Sequence, residues 1–145
     1  MESIMIFNKV DELTLELPLY VTTAGYWEHQ SEMVRTEGFP DFQYHQVISG
    51  EGELLVEGSR FKVGAGHAFI LYPGVPHIYR ALREPWELAW VSFNGREAAR
   101  ILAYGGIYGS GVRQVKGELL LSRFWGMLAL AETRQERQGI EFSKL

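Results

Sequence analysis

The chain has 145 residues, of which 46% are apolar and 22% charged, as in an ordinary globular domain with a sizeable core. The absence of cysteine excludes disulfide frameworks and thiolate metal sites, and the net charge of −4 argues against unaided binding to a phosphate backbone. No apolar run approaches the roughly 20 residues that cross a bilayer, and the N-terminus lacks a signal-peptide pattern. We therefore expect a cytoplasmic protein that has no membrane contact.

Short β-prone runs fill the N-terminal part of the chain. The first 11 residues suggest a loosely ordered lead-in, and the alternation of Leu13, Leu15 and Leu17 predicts a short strand that ends at Pro18. Further brief runs, followed by a loop, are predicted at residues 19–23, 26–29 and 33–36.

The middle of the chain predicts strands joined by tight turns. Gly58-Ser59 fits a two-residue hairpin turn, and polar residues on both faces of the first strand suit a barrel wall with a partly polar interior. Short strands at this spacing indicate a small barrel or sandwich. The predicted strands are residues 42–49, 53–57, 60–63, 67–72, 77–82 and 86–93.

The pattern becomes helical after residue 94. Asn94 predicts the N-cap of a helix that begins at residue 95 and ends near residue 104, and a glycine-rich connector at 105–117 leads to a long helix at 118–138. The long helix has more large apolar side chains than one packing face uses, which favours a second contact such as a dimer partner. The alternative is that the first helix covers the whole apolar stripe.

Sequence motifs for catalysis are missing from the chain. The histidines form neither His-x-His nor His-Glu-x-x-His, and neither a Gly-x-Ser-x-Gly elbow nor a phosphate-binding glycine loop occurs. We therefore expect no metal and no cofactor.

Aromatic residues between positions 72 and 90 carry more information. Two-residue spacing puts His77 and Tyr79 on one face of a strand, and it puts Trp86, Leu88 and Trp90 on one face of the next strand. If these faces point into a closed sheet, they line a cup in which aromatic rings stack on a sugar-like ligand. The competing interpretation is that the aromatic residues only fill the core.

Arg35 is the single basic residue on its brief predicted strand. If its side chain points inward, it can bind a hydroxyl or a carboxylate group. The alternative is an arginine at a sheet edge that faces solvent.

Three segments together resemble the N-terminal effector-binding domain of AraC-type transcriptional regulators. They are Gly50-Glu51-Gly52, Pro73-Gly74-x-Pro76-His77-x-Tyr79 and Trp86-x3-Trp90-Val91-x-Phe93-Asn94-Gly95. The resemblance covers residues 18 to 138. It implies a mainly β, cupin-like jelly-roll barrel at 1–94 and a C-terminal helix pair at 95–145, which packs on the barrel and forms a homodimer. The residues that this implies for the dimer contact are Leu120, Leu121, Phe124, Trp125, Leu128 and Ala131.

The resemblance also implies a ligand site. In the arabinose-responsive member, a threonine, an arginine, a tyrosine and a tryptophan hold the sugar, and a histidine stands at the position of Leu88. Because Leu88 is apolar here, we expect a different or less polar ligand. The predicted ligand-binding residues are Thr22, Thr23, Arg35, His77, Tyr79, Trp86, Leu88 and Trp90.

The leading hypothesis is therefore a non-enzymatic domain that senses a small molecule, in the first instance a sugar or glycoside, and dimerises. Family members contact DNA through two further helix-turn-helix motifs, so we expect this chain to be the regulatory part of a longer protein. One alternative is a small metal-independent cupin enzyme, such as a sugar isomerase or epimerase, with His77 and Tyr79 as its acid–base pair. Another is a purely structural dimerisation module with a solid core.

Overall fold

The computed structural model describes residues 3–116, 122–123, 126 and 140–144. Within them, antiparallel strands form one nine-stranded sheet in the order β8-β6-β4-β7-β2-β1-β9, with β3 paired to β7 and β5 paired to β4. The strands are β1 Ile4–Asn8, β2 Tyr20–Trp27, β3 Met33–Arg35, β4 Phe42–Val56, β5 Ser59–Gly64, β6 His67–Leu71, β7 His77–Asn94, β8 Gly111–Gln114 and β9 Ile140–Lys144, and the helices in the described residues are α1 Glu12–Leu15 and α2 Ala98–Tyr104.

The fold is mainly β, as the sequence predicts, but the expected closed barrel is not formed. The path of hydrogen-bonded strands begins at β8 and ends at β9, and these two strands do not pair within the described residues. The short strands β3 and β5 each pair with only part of a longer neighbour. The sheet is therefore open at both ends of its path.

Strands β4 and β7 form the backbone of the sheet. They pair from Phe42 opposite Phe93 to Val56 opposite His77, with irregular register between Val47 and Gly52. The sequence instead predicted two strands in each segment, because glycines on β4 and a proline on β7 resemble turn signals. In the structure these residues mark β-bulges, at which the long strands bend without ending.

The N-terminal predictions are wrong in two places. Residues 4–8, expected to be a loosely ordered lead-in, form β1, which pairs with β2 and with β9. The alternating leucines lie in and after α1 instead of in a strand. The helix forms because Asp11 caps it, with its side chain accepting a hydrogen bond from Thr14 N at 2.9 Å.

The structure also corrects two local predictions, the position of a hairpin turn and the residue that caps a helix. Val56 pairs with Ser59, so the hairpin turn is Glu57-Gly58, and the positive φ angles of 50° and 78° at these residues are those of a type I′ turn. Asn94 does not cap α2, whose N-cap residue is Glu97. The Asn94 side chain instead donates to Asp41 Oδ1 at 2.9 Å, which ties the end of β7 to the loop before β4.

The C-terminal predictions fall mostly outside the described residues. Of the helix predicted at 118–138, only residues 122–123 and 126 are described, and they are helical. The six predicted dimer residues all lie outside the described part of the chain. Strands β8 and β9 are additions that the sequence did not predict. No helix of the described residues is long and apolar enough to span a membrane.

The hydrophobic core lies mainly between β4, β6 and β7. Trp86 and Leu88 are fully buried in it. Gly52 lies against the Trp86 indole, and a Cβ atom at this position would collide with the ring. The core cluster consists of Val47, Leu54, Val56, Val63, Phe69, Leu71, Tyr79, Trp86 and Leu88.

Candidate ligand-binding cavity

A cavity of about 280 Å³ lies beside this core, between β1, β2, β3, β4 and β7. Its volume is just below the roughly 300–1,000 Å³ that is usual for small-molecule sites, which corresponds to a small ligand. The lining residues are Met5, Phe7, Thr23, Trp27, His29, Gln30, Ser31, Met33, Arg35, Phe39, Gln43, His45, Tyr79 and Trp90.

Strand register explains why residues so far apart in sequence meet here. Trp90 on β7 lies opposite His45 on β4 and opposite Gly25 on β2, and Gly25 in turn lies opposite Met5 on β1. These residues therefore form one row across four strands. Gly25 leaves space for the Trp90 indole, since a Cβ atom there would lie 2.8 Å from Cζ2 of the ring.

Arg35 is at the centre of the polar contacts. Its Nη1 donates a hydrogen bond to Gln43 Oε1 at 2.8 Å and lies 3.1 Å from His77 Nε2. The guanidinium carbon also lies 4.5 Å from the ring centroid of Phe39 and 5.9 Å from that of Tyr79. Arg35 is therefore an inward-facing residue rather than an edge residue directed at solvent.

The hydrogen bonds of His77 define its protonation. Nδ1 lies 2.9 Å from the carbonyl oxygen of Val75, which can only accept, so Nδ1 carries the proton and Nε2 accepts from Arg35. Burial lowers the pKa of His77, the Val75 hydrogen bond opposes this effect, and the charge of Arg35 lowers the pKa further. His77 is therefore neutral near pH 7.

His45 and Tyr79 form a second buried pair, with the Tyr79 hydroxyl 3.4 Å from His45 Nε2. Burial holds the pKa of His45 well below its usual range, and the charges of Arg35 and His77 act in the same direction. Burial raises the pKa of Tyr79, while Arg35 lowers it through its charge and a hydrogen bond. Within the described residues, His45 Nδ1 and Trp90 Nε1 are buried without a hydrogen-bond partner.

The structure brings together four of the predicted ligand-binding residues, Thr23, Arg35, Tyr79 and Trp90, in the lining of this cavity. His77 supports the cavity from behind Arg35. The other three predicted residues lie elsewhere. Thr22 donates to Asp41 Oδ2 at 2.9 Å, and Trp86 and Leu88 belong to the core.

Sequence reasoning missed other lining residues. Gln43 and His45 are two residues apart on β4, so their side chains lie on one face of the strand. Because the opposite face is also partly polar, the sequence did not indicate which of the two faces points inward. Met5 and Phe7 were assigned to the lead-in. The short apolar run at residues 4–7 was the available signal for β1.

A larger groove of about 650 Å³ lies on the other side of Arg35. Arg35 and His77 line this groove as well, together with outward-facing residues such as Val34, Leu55 and Ile78. It gathers fewer aromatic and hydrogen-bonding side chains than the smaller cavity. Convergent polar groups in a mostly apolar lining are typical of ligand sites, which favours the smaller cavity. In the described residues, no three His, Asp or Glu side chains are grouped so that they could hold a metal ion.

Comparison with solved structures finds cupins at low similarity. The Schizosaccharomyces pombe Cnp3 cupin domain is 12% identical over 72% of this chain and 72% of its own, with a TM-score of 0.45. An RmlC-like cupin from Shewanella frigidimarina is 22% identical over 55% of this chain and 69% of its own, with a TM-score of 0.42. A salicylate 1,2-dioxygenase from Pseudaminobacter salicylatoxidans is 17% identical over 67% and 25%, with a TM-score of 0.40. Similarity at this level carries no argument about activity.

Sequence comparison is more informative about the family. No curated protein matches the chain significantly. The sequence model of the AraC-like ligand-binding domain matches residues 16–144, which include most of the strands that surround the cavity. The chain therefore belongs to the family of AraC-like ligand-binding domains.

Proposed function

We propose that this chain is the effector-sensing domain of an AraC-type transcription regulator and that the effector binds in the 280 Å³ cavity. The observation that carries the proposal is the convergence of Thr23, Arg35, Tyr79 and Trp90 from three different strands on one small cavity. Such a cavity, mostly apolar with a few directed polar groups, suits recognition of a small molecule.

A sugar or a glycoside is the first ligand class that we propose. Trp90 and Trp27 offer flat apolar faces on which the C–H face of a pyranose can stack. Thr23, Gln43 and Tyr79 add hydroxyl and amide groups that can bond to ring hydroxyls.

The proposed mechanism is a shift between two populations of the N-terminal strand. Met5 and Phe7 line the cavity from β1, and 39% of the Phe7 surface remains exposed. A ligand that contacts both side chains favours the conformation in which β1 is paired. We propose that this change alters how a homodimer, formed through the predicted helix at 118–138, presents DNA-binding domains.

The geometry gives little support to an acid–base enzyme that uses His77 and Tyr79. Both ring nitrogens of His77 are engaged, one by Val75 and one by Arg35, and burial and the charge of Arg35 both lower its pKa. Proton transfer through His77 would break one of these contacts. The regulatory role is therefore the function that the site supports best.

A sugar panel tests the ligand class. We expect at least one mono- or disaccharide to raise the melting temperature of the wild type. Tyr79→Phe should weaken the affinity for that sugar roughly 2- to 10-fold, because it removes one hydroxyl hydrogen bond. Tyr44→Phe is the matched control, since the Tyr44 hydroxyl bonds to Gln46 and does not line the cavity. Equal affinities for the two variants would contradict the proposed site.

A further inference from the structure

The guanidinium group of Arg35 is held by neutral partners. Its Nη1 bonds to the amide oxygen of Gln43 and to the unprotonated Nε2 of His77. These acceptors use both hydrogens of Nη1 and fix the plane of the group, but they carry no negative charge. Arg35 also forms a hydrogen bond with the neutral Tyr79 side chain. The hydrogens that Gln43 and His77 do not use are on Nε and Nη2, the edge that a carboxylate can accept from in a bidentate geometry.

The described lining of the cavity offers no acidic side chain to balance this charge. None of the described residues that line it is Asp or Glu, and Arg35 forms no ion pair within the described part of the chain. Glu87, which is on β7 beside the cavity wall, accepts from Ser49 at 2.5 Å and from Tyr26. It is therefore committed to contacts on the opposite face of the sheet.

Arg35 is half-buried, and a charge that is partly removed from water is less stable without a counter-ion than with one. The rings of Phe39 and Tyr79 lie beside it, and its field acts on both buried histidines. An anion in the cavity would restore the balance of charge. The lining also holds the Trp90 indole N–H, a donor that lacks an acceptor among the residues that the structure describes.

We propose that the effector is a small organic acid whose carboxylate binds Arg35, in the first instance a sugar acid rather than a neutral sugar. This inference rests on the proposed function, because it assigns the chemistry of the molecule in the same cavity. The carboxylate accepts from the Nε and Nη2 edge of Arg35, and the remainder of the molecule stacks against Trp90 and contacts Thr23.

Calorimetric titration with matched probes tests this. The pairs are D-galacturonate against D-galactose and D-glucuronate against D-glucose, with benzoate against benzyl alcohol to distinguish an aromatic acid from a sugar acid. We expect at least one acid to bind the wild type at least tenfold more tightly than its neutral partner. Its affinity should also fall as salt is raised.

Variants locate the carboxylate. Arg35→Gln should weaken binding of that acid at least tenfold, and Arg35→Lys, which keeps the charge without the planar fork, should weaken it less. Arg60→Gln is the control, because Arg60 borders only the larger groove. Melting curves without ligand report folding. If Arg35→Gln does not fold, the proposal is tested by the salt dependence of acid binding to the wild type and by the affinity of the Arg35→Lys variant for the acid.

Three results would overturn the proposal. One is a neutral sugar that binds at least as tightly as its acid and depends on the Tyr79 hydroxyl, which would leave the sensing function intact. Another is an acid whose affinity depends on Arg60, which would place it in the larger groove even if it also depends on Arg35, because Arg35 borders both sites. If no probe of either kind binds, both the carboxylate and the proposed use of the cavity are rejected.

Discussion

His77 supports Arg35 only in its neutral form. Its Nδ1 proton is donated to Val75, which leaves a lone pair on Nε2 for the guanidinium. A second proton would put two cations in contact. Burial and the charge of Arg35 accordingly lower the pKa of His77 below its usual value of 6.5, and burial has the same effect on His45.

These depressed pKa values predict a pH-dependent stability. At a pH between the lower pKa of the folded state and the ordinary pKa of the unfolded state, the unfolded chain binds more protons than the folded one. The neutral histidines therefore contribute fully to the free energy of unfolding above about pH 6.5, and this contribution is lost as the pH falls below that value. We expect the melting temperature to decline from pH 7 to pH 5.5. His77→Gln should make this decline shallower, because glutamine does not titrate and can still accept from Arg35.

His29→Gln is the control for this experiment, since His29 is exposed. It should follow the wild-type pH profile. A His77→Gln profile parallel to that of the wild type would show that His77 does not contribute to the acid sensitivity.

Individual side chains differ in how far the sequence specifies their position. The spacing of Tyr79 and Trp90 within their strand segments correctly predicted inward-facing faces, because side-chain direction in a strand alternates strictly. Parity alone did not separate the core from the cavity, and Leu88 is in the core although Trp90 lines the cavity. That distinction depends on which strand lies opposite, which is a long-range property.

Strand β7 contributes to both the core and the cavity along one face. Leu88 is fully buried in the core cluster, opposite Val47 on β4, whereas Leu82 on the same strand is 48% exposed. The two leucines therefore form a matched pair that differs mainly in burial.

We expect Leu88→Ala to lower the free energy of unfolding by about 2–5 kcal/mol, because it opens a cavity in a packed core. Leu82→Ala should change it by less than about 0.5 kcal/mol. Urea unfolding monitored by tryptophan fluorescence measures both. If Leu88→Ala lowers the free energy of unfolding by no more than Leu82→Ala does, this part of the core is poorly packed.

Long-range pairing also explains the errors in strand boundaries. Gly50 and Pro85 are strong turn signals when only neighbouring residues are considered. In the structure, β4 and β7 face each other at these positions, and Gly50 has a φ of 77°. The cross-strand hydrogen bonds on both sides keep the strands continuous, so the local signals produce bulges instead of ends.

The molecule as a whole places its N-terminal strand beside the candidate cavity. Met5 and Phe7 on β1 contribute to the lining, and β1 pairs with β2 and β9 rather than with the central strands β4 and β7. A strand near a sheet edge opens more readily than the central strands β4 and β7. Ligand contacts should therefore have their largest effect on β1.

Hydrogen exchange tests this prediction. With a probe that raises the melting temperature, we expect amide exchange in residues 4–8 to slow several-fold, because the ligand holds β1 in place. Residues 59–64 in β5, which pair with β4 away from the cavity, are the internal control and should change little. Unchanged exchange in β1 at saturating probe would contradict the proposed mechanism.

The sequence was sufficient to predict the overall class of the fold, but it did not predict that β1 pairs with β9. Alternation and turn residues indicated a mainly β domain. The antiparallel pairing of β1 with β9, from Ile4 opposite Lys144 to Asn8 opposite Ile140, joins segments from the two termini. No local pattern at residues 140–144 distinguishes a strand that pairs with residue 4 from one that pairs elsewhere.

This pairing has a practical consequence for anything fused to the C-terminus. A reporter or a DNA-binding domain attached after Lys144 would be connected, through the backbone hydrogen bonds of β9, to the strand that lies beside the cavity. The attachment point of the fused domain would move with β1, so no rearrangement of the core would be needed to couple the two. A short rigid linker at this position should therefore convert ligand binding into a change of orientation, whereas a long flexible one should lose the signal.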